Sequence, residues 1–328
     1  MSSDVKIQKW IDRRFFLSTN EAASRLFCFN TSDGFMFGNI FLDNDNTFSC
    51  EEVETNHFGY NLSQICWLSN TVYRPSQKYI SFISMPNTNG QSSVIFNSNT
   101  NGDQSLKWLD ENMESTTSSI AYNPTQERIA ISYLNSSIKI YNLSHNNCLH
   151  QYKFDNEIYN LDWNKIDSHL LLINQPDRLV VYDYQRKSIS CTLSAKEKQK
   201  EYFADCIWKP LSSSMIIARC KNDLLVWDKR IGREPIRTEQ LGQIGYYQNM
   251  KFSFHSNNIL AAYNSTLKKI KIYDFRFMIM RQVESFCNES FLDYHWTTDA
   301  PALVVATHSG QLHWLDIDYR SEKKISFG

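Results

Sequence analysis

A repeated interval between aromatic residues constrains this chain more than any other feature. Five segments share one plan. Each starts with a short apolar run ending in an aromatic: Tyr122, Trp163, Trp208, Phe254 and Trp296. A polar turn, an apolar run and a second turn follow. Each segment closes on another run carrying an aromatic: Tyr141, Tyr182, Trp227, Tyr273 and Trp314. The opening-to-closing interval is 19 residues in the first four segments and 18 in the last. The closing aromatics recur at 41, 45, 46 and 41 residues. A fixed interval within units and a looser one between them means strands of constant length joined by variable loops.

The apolar runs are four to six residues long, bounded by Asn, Pro, Asp and Ser, which favour turns. Runs of that length and composition read as strands buried on both faces. Each unit is then a small antiparallel sheet that cannot bury its faces alone. Stacking successive sheets radially covers them. The first third of the chain is less regular. Residues 62–67 read as an opening strand, with 78–83 and 94–96 as its partners and an enlarged loop between. Upstream, 14–17, 26–29 and 35–42 form one more divergent unit. The total is seven units of about 47 residues, the size of a four-stranded propeller blade with its connections. Ring closure falls either to the tail at 323–327 or to N-terminal residues completing the last sheet.

Lys and Arg total 34 against 35 Asp and Glu, so bulk charge gives no reason to expect direct nucleic-acid binding. The eight cysteines form no CxxC pair and several sit in apolar runs, so they read as buried free thiols rather than metal ligands. No run approaches the apolar length of a membrane span, and the first residues lack the apolar core of a secretory signal. No phosphate-loop, dinucleotide or nucleophile-elbow motif is present, so the reading is of a non-enzyme needing no cofactor. His308 and His313 stand five apart, an unsuitable metal pair.

The run Leu224-Leu225-Val226-Trp227-Asp228 resembles the Trp-Asp signature of WD-repeat β-propellers, as do the Tyr-Asp endings at Tyr182-Asp183 and Tyr273-Asp274. The resemblance covers about residues 60–320 as a pattern. It implies an all-β fold: a divergent seven-bladed WD-repeat β-propeller over 14–328, preceded by an arm at 1–13. The chain lacks the family's Gly-His dipeptides, so the usual intra-blade His–Asp network is absent or replaced. Packing of aromatic and aliphatic side chains is expected to hold the sheets. Such propellers are binding platforms that rarely perform chemistry, and fold alone does not name the function.

Two consecutive units end alike, in Asp228-Lys229-Arg230 and Asp274-Phe275-Arg276. The other closing runs show no arginine at that spacing. This Asp-x-Arg box resembles the motif of cullin-4-associated factors, substrate receptors that dock on the damage-specific DNA-binding protein 1 adaptor of cullin-4 ubiquitin ligases. A weaker resemblance, over 63–96 and 14–29, is to the factor 4 type. Asp and Arg two apart can pair and hold a guanidinium where it grips a partner's carboxylates or carbonyls. The same pair can equally do no more than pin the turn. Ile7, Trp10 and Ile11 fall on one face of a short helix, which the resemblance would place in the adaptor. Tyr246 and Tyr247 precede an opening strand and are candidate aromatic anchors. The mixed-charge stretch 195–201 reads as a solvated loop. The reading is therefore of a monomer carried in a larger protein complex of the nucleus and cytoplasm. The alternative partner is another nuclear assembly of chromatin or RNA processing.

Overall fold

The computed structural model describes the backbone of residues 5–6, 17–19, 26–30, 34–42, 48–57, 64–67, 80–86, 92–98 and 105–110. It describes residues 115–317, most with side chains, except 116, 124, 144, 146, 196–202, 221–222, 241–246, 265–267, 277–278, 284–290, 298–300 and 308–310. The described residues form strands and turns only.

The strands make seven four-stranded antiparallel sheets. After β1 (Val5–Lys6) come β2 (Leu17–Thr19), β3 (Leu26–Asn30), β4 (Gly34–Leu42) and β5 (Phe48–His57), which form one sheet. A second contains β6 (Gln64–Trp67), β7 (Ile80–Pro86), β8 (Ser92–Ser98) and β9 (Ser105–Asp110). A third contains β10 (Thr117–Asn123), β11 (Arg128–Tyr133), β12 (Ser137–Asn142) and β13 (Asn147–Lys153). A fourth contains β14 (Asn160–Trp163), β15 (Leu170–Asn174), β16 (Leu179–Asp183) and β17 (Ser188–Leu193). A fifth contains β18 (Phe203–Trp208), β19 (Met215–Cys220), β20 (Asp223–Asp228) and β21 (Arg237–Gln240). A sixth contains β22 (Tyr247–Phe252), β23 (Ile259–Asn264), β24 (Lys269–Asp274) and β25 (Ile279–Val283). The last has the order β1, β28 (Gln311–Asp316), β27 (Ala302–Thr307), β26 (Phe291–Trp296).

The last sheet resolves the choice left by the sequence. Val5 pairs with Leu312 and Lys6 with Gln311, so the N-terminus supplies its fourth strand. Part of the expected arm at 1–13 is thus a strand. The helix expected over Ile7, Trp10 and Ile11 lies outside the described residues, as does the tail at 323–327.

Two compact units divide the chain. One holds 1–113, 251–261 and 268–328, the other 114–250 and 262–267. The second unit shows how the sheets are built. The central strands β15 and β16 are buried at every position, and β17 begins with three exposed residues. Side chains of the fourth sheet alternate between two cores, as strand geometry requires. Leu171, Ile173, Val180 and Tyr182 pack with Ala121, Ala130, Ile138 and Ile140 of the third sheet. Leu170, Leu172, Leu179 and Val181 pack with Cys206, Trp208, Ile216 and Trp227 of the fifth. Each buried aliphatic contributes roughly 1.5–3 kcal/mol, so a sheet covered on both faces is stable where a single one is not.

Packing is not the whole account. Polar groups also chain the opening strands of unit two together. Ser119 Oγ donates to Asn160 Oδ1 at 3.2 Å, and Asn160 Nδ2 donates to Asp205 Oδ1 at 3.0 Å. Asp205 Oδ2 accepts the Met250 amide at 2.7 Å. The Trp163 indole donates to the Ala121 carbonyl at 3.1 Å, and the Trp208 indole to the Asp162 carbonyl at 3.2 Å. Unit one repeats the device, with the Trp296 indole donating to the Lys251 carbonyl at 2.8 Å. The opening tryptophans Trp163, Trp208 and Trp296 are therefore cross-sheet donors as well as core residues.

The registers also correct two of the aromatic markers. Trp163 lies opposite Leu171, and Leu171 opposite Tyr182. In the last sheet Trp296 lies opposite Leu303, and Leu303 opposite Leu315. The closing position is thus the buried Leu315 and not the partly exposed Trp314, which faces the other way. Counted to Leu315, the interval is again 19. In the sixth sheet the Ser253 amide donates to Ile259, as Asn164 does to Leu170, which puts Phe252 and not Phe254 in the opening place. Its interval to Tyr273 is 21.

Candidate functional site

The closing strands of the third to sixth sheets each end in a carboxylate or amide that caps the following turn. Asn142 Oδ1 accepts the His145 amide at 3.1 Å, and Asp183 Oδ1 accepts the Arg186 amide at 3.0 Å. Asp228 Oδ1 accepts the Arg230 amide at 3.0 Å, and Asp274 Oδ1 accepts the Arg276 amide at 2.9 Å. The strand-end acid is buried by its own sheet, while the turn lifts the next side chains outward. This is the pinning role that the Asp-x-Arg spacing allowed.

The guanidiniums add a second layer. Arg230 Nη2 donates to Asp228 Oδ2 at 2.6 Å, and Nε donates to Oδ1 at 3.0 Å. Arg276 repeats the fork on Asp274, at 2.7 Å from Nη2 and 3.0 Å from Nε. The paired arginine holds the Asp228 carboxyl down to about 2, against the opposing effect of burial. The Arg230 side chain is 72% exposed while Asp228 is 7% exposed. The acid is fixed in the sheet, the cation is fixed on the acid, and the outer edge of the guanidinium faces solvent. Arg230 Nη1 takes no acceptor among the described residues. Arg276 is more enclosed, at 40%. A guanidinium so oriented loses little further freedom when it binds a second acid.

One member of this set escapes the sequence motif. Arg186 stands three residues after Asp183, not two, and its Nε lies 3.5 Å from Asp183 Oδ2 with the side chain 82% exposed. Asp183 caps the amide three residues on, where Asp228 and Asp274 cap the amide two residues on, so an Asp-x-Arg search passes over it. A search for Asp followed by Arg at two or three residues past a closing aromatic would find it.

Unit two also joins these turns. Lys229 Nζ lies 3.8 Å from Asp167 Oδ2, linking the turn after β20 to the turn after β14. Asn164 Nδ2 donates to the Ser212 carbonyl at 3.1 Å, and the Lys229 amide donates to the Ser214 carbonyl at 3.0 Å. The Tyr184 amide donates to the His169 carbonyl at 2.9 Å. Four turns at one end of the fourth and fifth sheets are therefore bonded into one surface.

The remaining expected site residues are not brought to it. Ile7, Trp10, Ile11 and Tyr246 lie outside the described residues. Tyr247 begins β22, and its side chain is not described. Of the cysteines, Cys206 and Cys220 are buried and free, Cys191 is half-buried and Cys148 is exposed. Burial pushes the Cys206 thiol well up, which removes its reactivity.

Residues 89–166 match the family profile of the anaphase-promoting complex subunit 4 WD40 domain. The match supports a WD-repeat reading of these sheets. It runs from the β7–β8 connection to the turn after β14, less than half of the chain, and stops before either Asp-x-Arg box. WD40 domains are typically non-catalytic scaffolds for protein interaction. No curated protein matches the chain. No helix among the described residues is long and apolar enough to cross a membrane.

Proposed function

We propose that the chain is a non-catalytic WD-repeat scaffold whose seven sheets are the blades of one closed propeller. It serves as a substrate receptor docking on the damage-specific DNA-binding protein 1 adaptor of a cullin-4 ubiquitin ligase. Arg230 and Arg276 are its partner contacts, each held by its own aspartate, Asp228 and Asp274. The observation that carries this reading is the repeated fork: a buried acid fixing a cation whose far edge remains open in Arg230. The resemblance to the Asp-x-Arg box of cullin-4-associated factors supplies the partner. A helix at Ile7, Trp10 and Ile11 and the aromatic pair Tyr246 and Tyr247 would add contacts, and the assembly would work in nucleus and cytoplasm.

The test is affinity purification of the full chain and of Arg230→Ala, Arg276→Ala and the double variant, with circular dichroism to check folding. The reading expects the adaptor with the wild type and its loss from the double variant. Equal adaptor recovery, or none with the wild type, rejects it. A second reading has its own support: the matched profile is named for a subunit of a multiprotein complex. In that case the chain is a fixed structural subunit, and one stable set of partners without any cullin co-purifies.

A further inference from the structure

The bonded end of the fourth and fifth sheets carries more than its arginines. Its turns span 164–169, 184–187, 209–214 and 229–236. They hold seven Lys and Arg residues, against four acids even when the strand-end Asp183 and Asp228 are counted. The described connections at the opposite end, 154–159 and 175–178, hold three acids and one arginine. A chain of net charge −1 therefore concentrates positive charge at one end of these two sheets.

Three aliphatic side chains stand among the cations. Leu211 and Ile231 are each 71% exposed, and Ile166 is 52% exposed. They belong to three of the four bonded turns, so they share the surface with Arg186 and Arg230. Leu211 is also strained. Its φ is 54°, in the left-handed region that side chains other than Gly, Asn and Asp seldom adopt. Internal packing does not account for a leucine there, because its side chain is mostly in solvent. An exposed apolar side chain held at a backbone cost is a feature that folding alone does not require.

We infer that this end of the fourth and fifth sheets docks an acidic protein segment bearing aliphatic side chains. The acids would sit on the open edges of Arg186 and Arg230, and the aliphatic groups on Leu211, Ile231 and Ile166. Nucleic acid fits less well, because single-stranded bases stack on aromatic faces and the exposed apolar groups here are aliphatic. The inference rests on the scaffold reading above but not on the identity of the partner named there.

The experiment pans a random dodecapeptide display library on the folded full chain and measures the selected peptides by fluorescence anisotropy. The selected peptides are expected to combine Asp or Glu with Leu, Ile or Val. Their affinity falls about tenfold on the double variant Leu211→Asn, Ile231→Ser and by a similar factor on Arg186→Glu, Arg230→Glu. Added salt weakens binding to the wild type. No selection, peptides without acids, or an affinity unchanged from wild type in either double variant overturns the inference. Tighter binding of a single-stranded or duplex oligonucleotide, lost in the same variants, overturns it in favour of nucleic acid. Adaptor recovery measured on the same variants separates the two readings. Peptide binding without any adaptor removes the cullin-4 partner and leaves the docking surface. Adaptor recovery by the wild type with no peptide selected does the reverse.

Discussion

Replacing Asp162 with Asn isolates the electrostatic cost of the cross-sheet network. Asp162 Oδ2 accepts the Trp208 amide at 2.7 Å, and packing pushes its pKa up to about 7, aided by the nearby Asp205 and opposed by that amide and by Lys165. A carboxylate raised from its ordinary value of 3.8 binds a proton more readily in the folded chain than in the unfolded one. Its contribution to stability therefore falls as pH rises from about 4 to about 7 and is level above that. At ~1.4 kcal/mol per pH unit, the full cost at pH 8 is at most ~4 kcal/mol. Asp162 keeps some solvent contact, so about half of that, ~2 kcal/mol, is the realistic figure. Asparagine keeps an oxygen for the Trp208 amide and cannot ionise. Urea denaturation followed by tryptophan fluorescence should find Asp162→Asn more stable by ~2 kcal/mol at pH 8, with under half of that gain left at about pH 4.5. Asp205, also raised by burial, leaves a residual slope in the variant. A variant less stable than wild type at pH 8, or a gain that does not change with pH, would refute the reasoning.

Trp208→Phe removes the indole donor to the Asp162 carbonyl and leaves a gap at a buried site, so a loss of ~2 kcal/mol is expected from the same urea experiment. An unchanged midpoint would mean that the cross-sheet bond contributes nothing. Asp228→Ala should lower the thermal midpoint clearly, because the turn loses its cap, while Arg230→Ala should leave it almost unmoved. Asp228 is held below its ordinary value, so its support is present above pH 3.8 and is lost as pH falls toward 2. Calorimetry showing the two variants equally destabilised would reverse the roles assigned to them. Leu211→Asn relieves a left-handed leucine and should raise stability by ~1 kcal/mol, and a fall by that amount would show that Leu211 serves the fold.

Much of the architecture was legible because burial on both faces demands short, uniformly apolar strands, and these stand out against Asn- and Ser-rich turns. The markers failed where an aromatic sat beside the position rather than in it. Trp314 is conspicuous, but Leu315 faces the core, and a one-residue slip moves a side chain to the opposite face. Phe254 lies two residues past the opening place, which the Ser253–Ile259 backbone bond gives to Phe252. The Ser119–Asn160–Asp205 chain could not be read from sequence, since its members lie 41 and 45 residues apart and meet only when the sheets stack. Arg186 was missed for a local reason: Asp183 caps the amide three residues on, not two. The cation-rich end emerged only when the register showed which turns share it.

Hydrogen exchange on the affinity-purified native complex, compared with the free chain, tests the docking role of the Arg230 end most directly. Slower exchange across 209–214 and 229–233 in the complex is the expected result. Unchanged exchange in those turns, with protection confined to other segments, would contradict it.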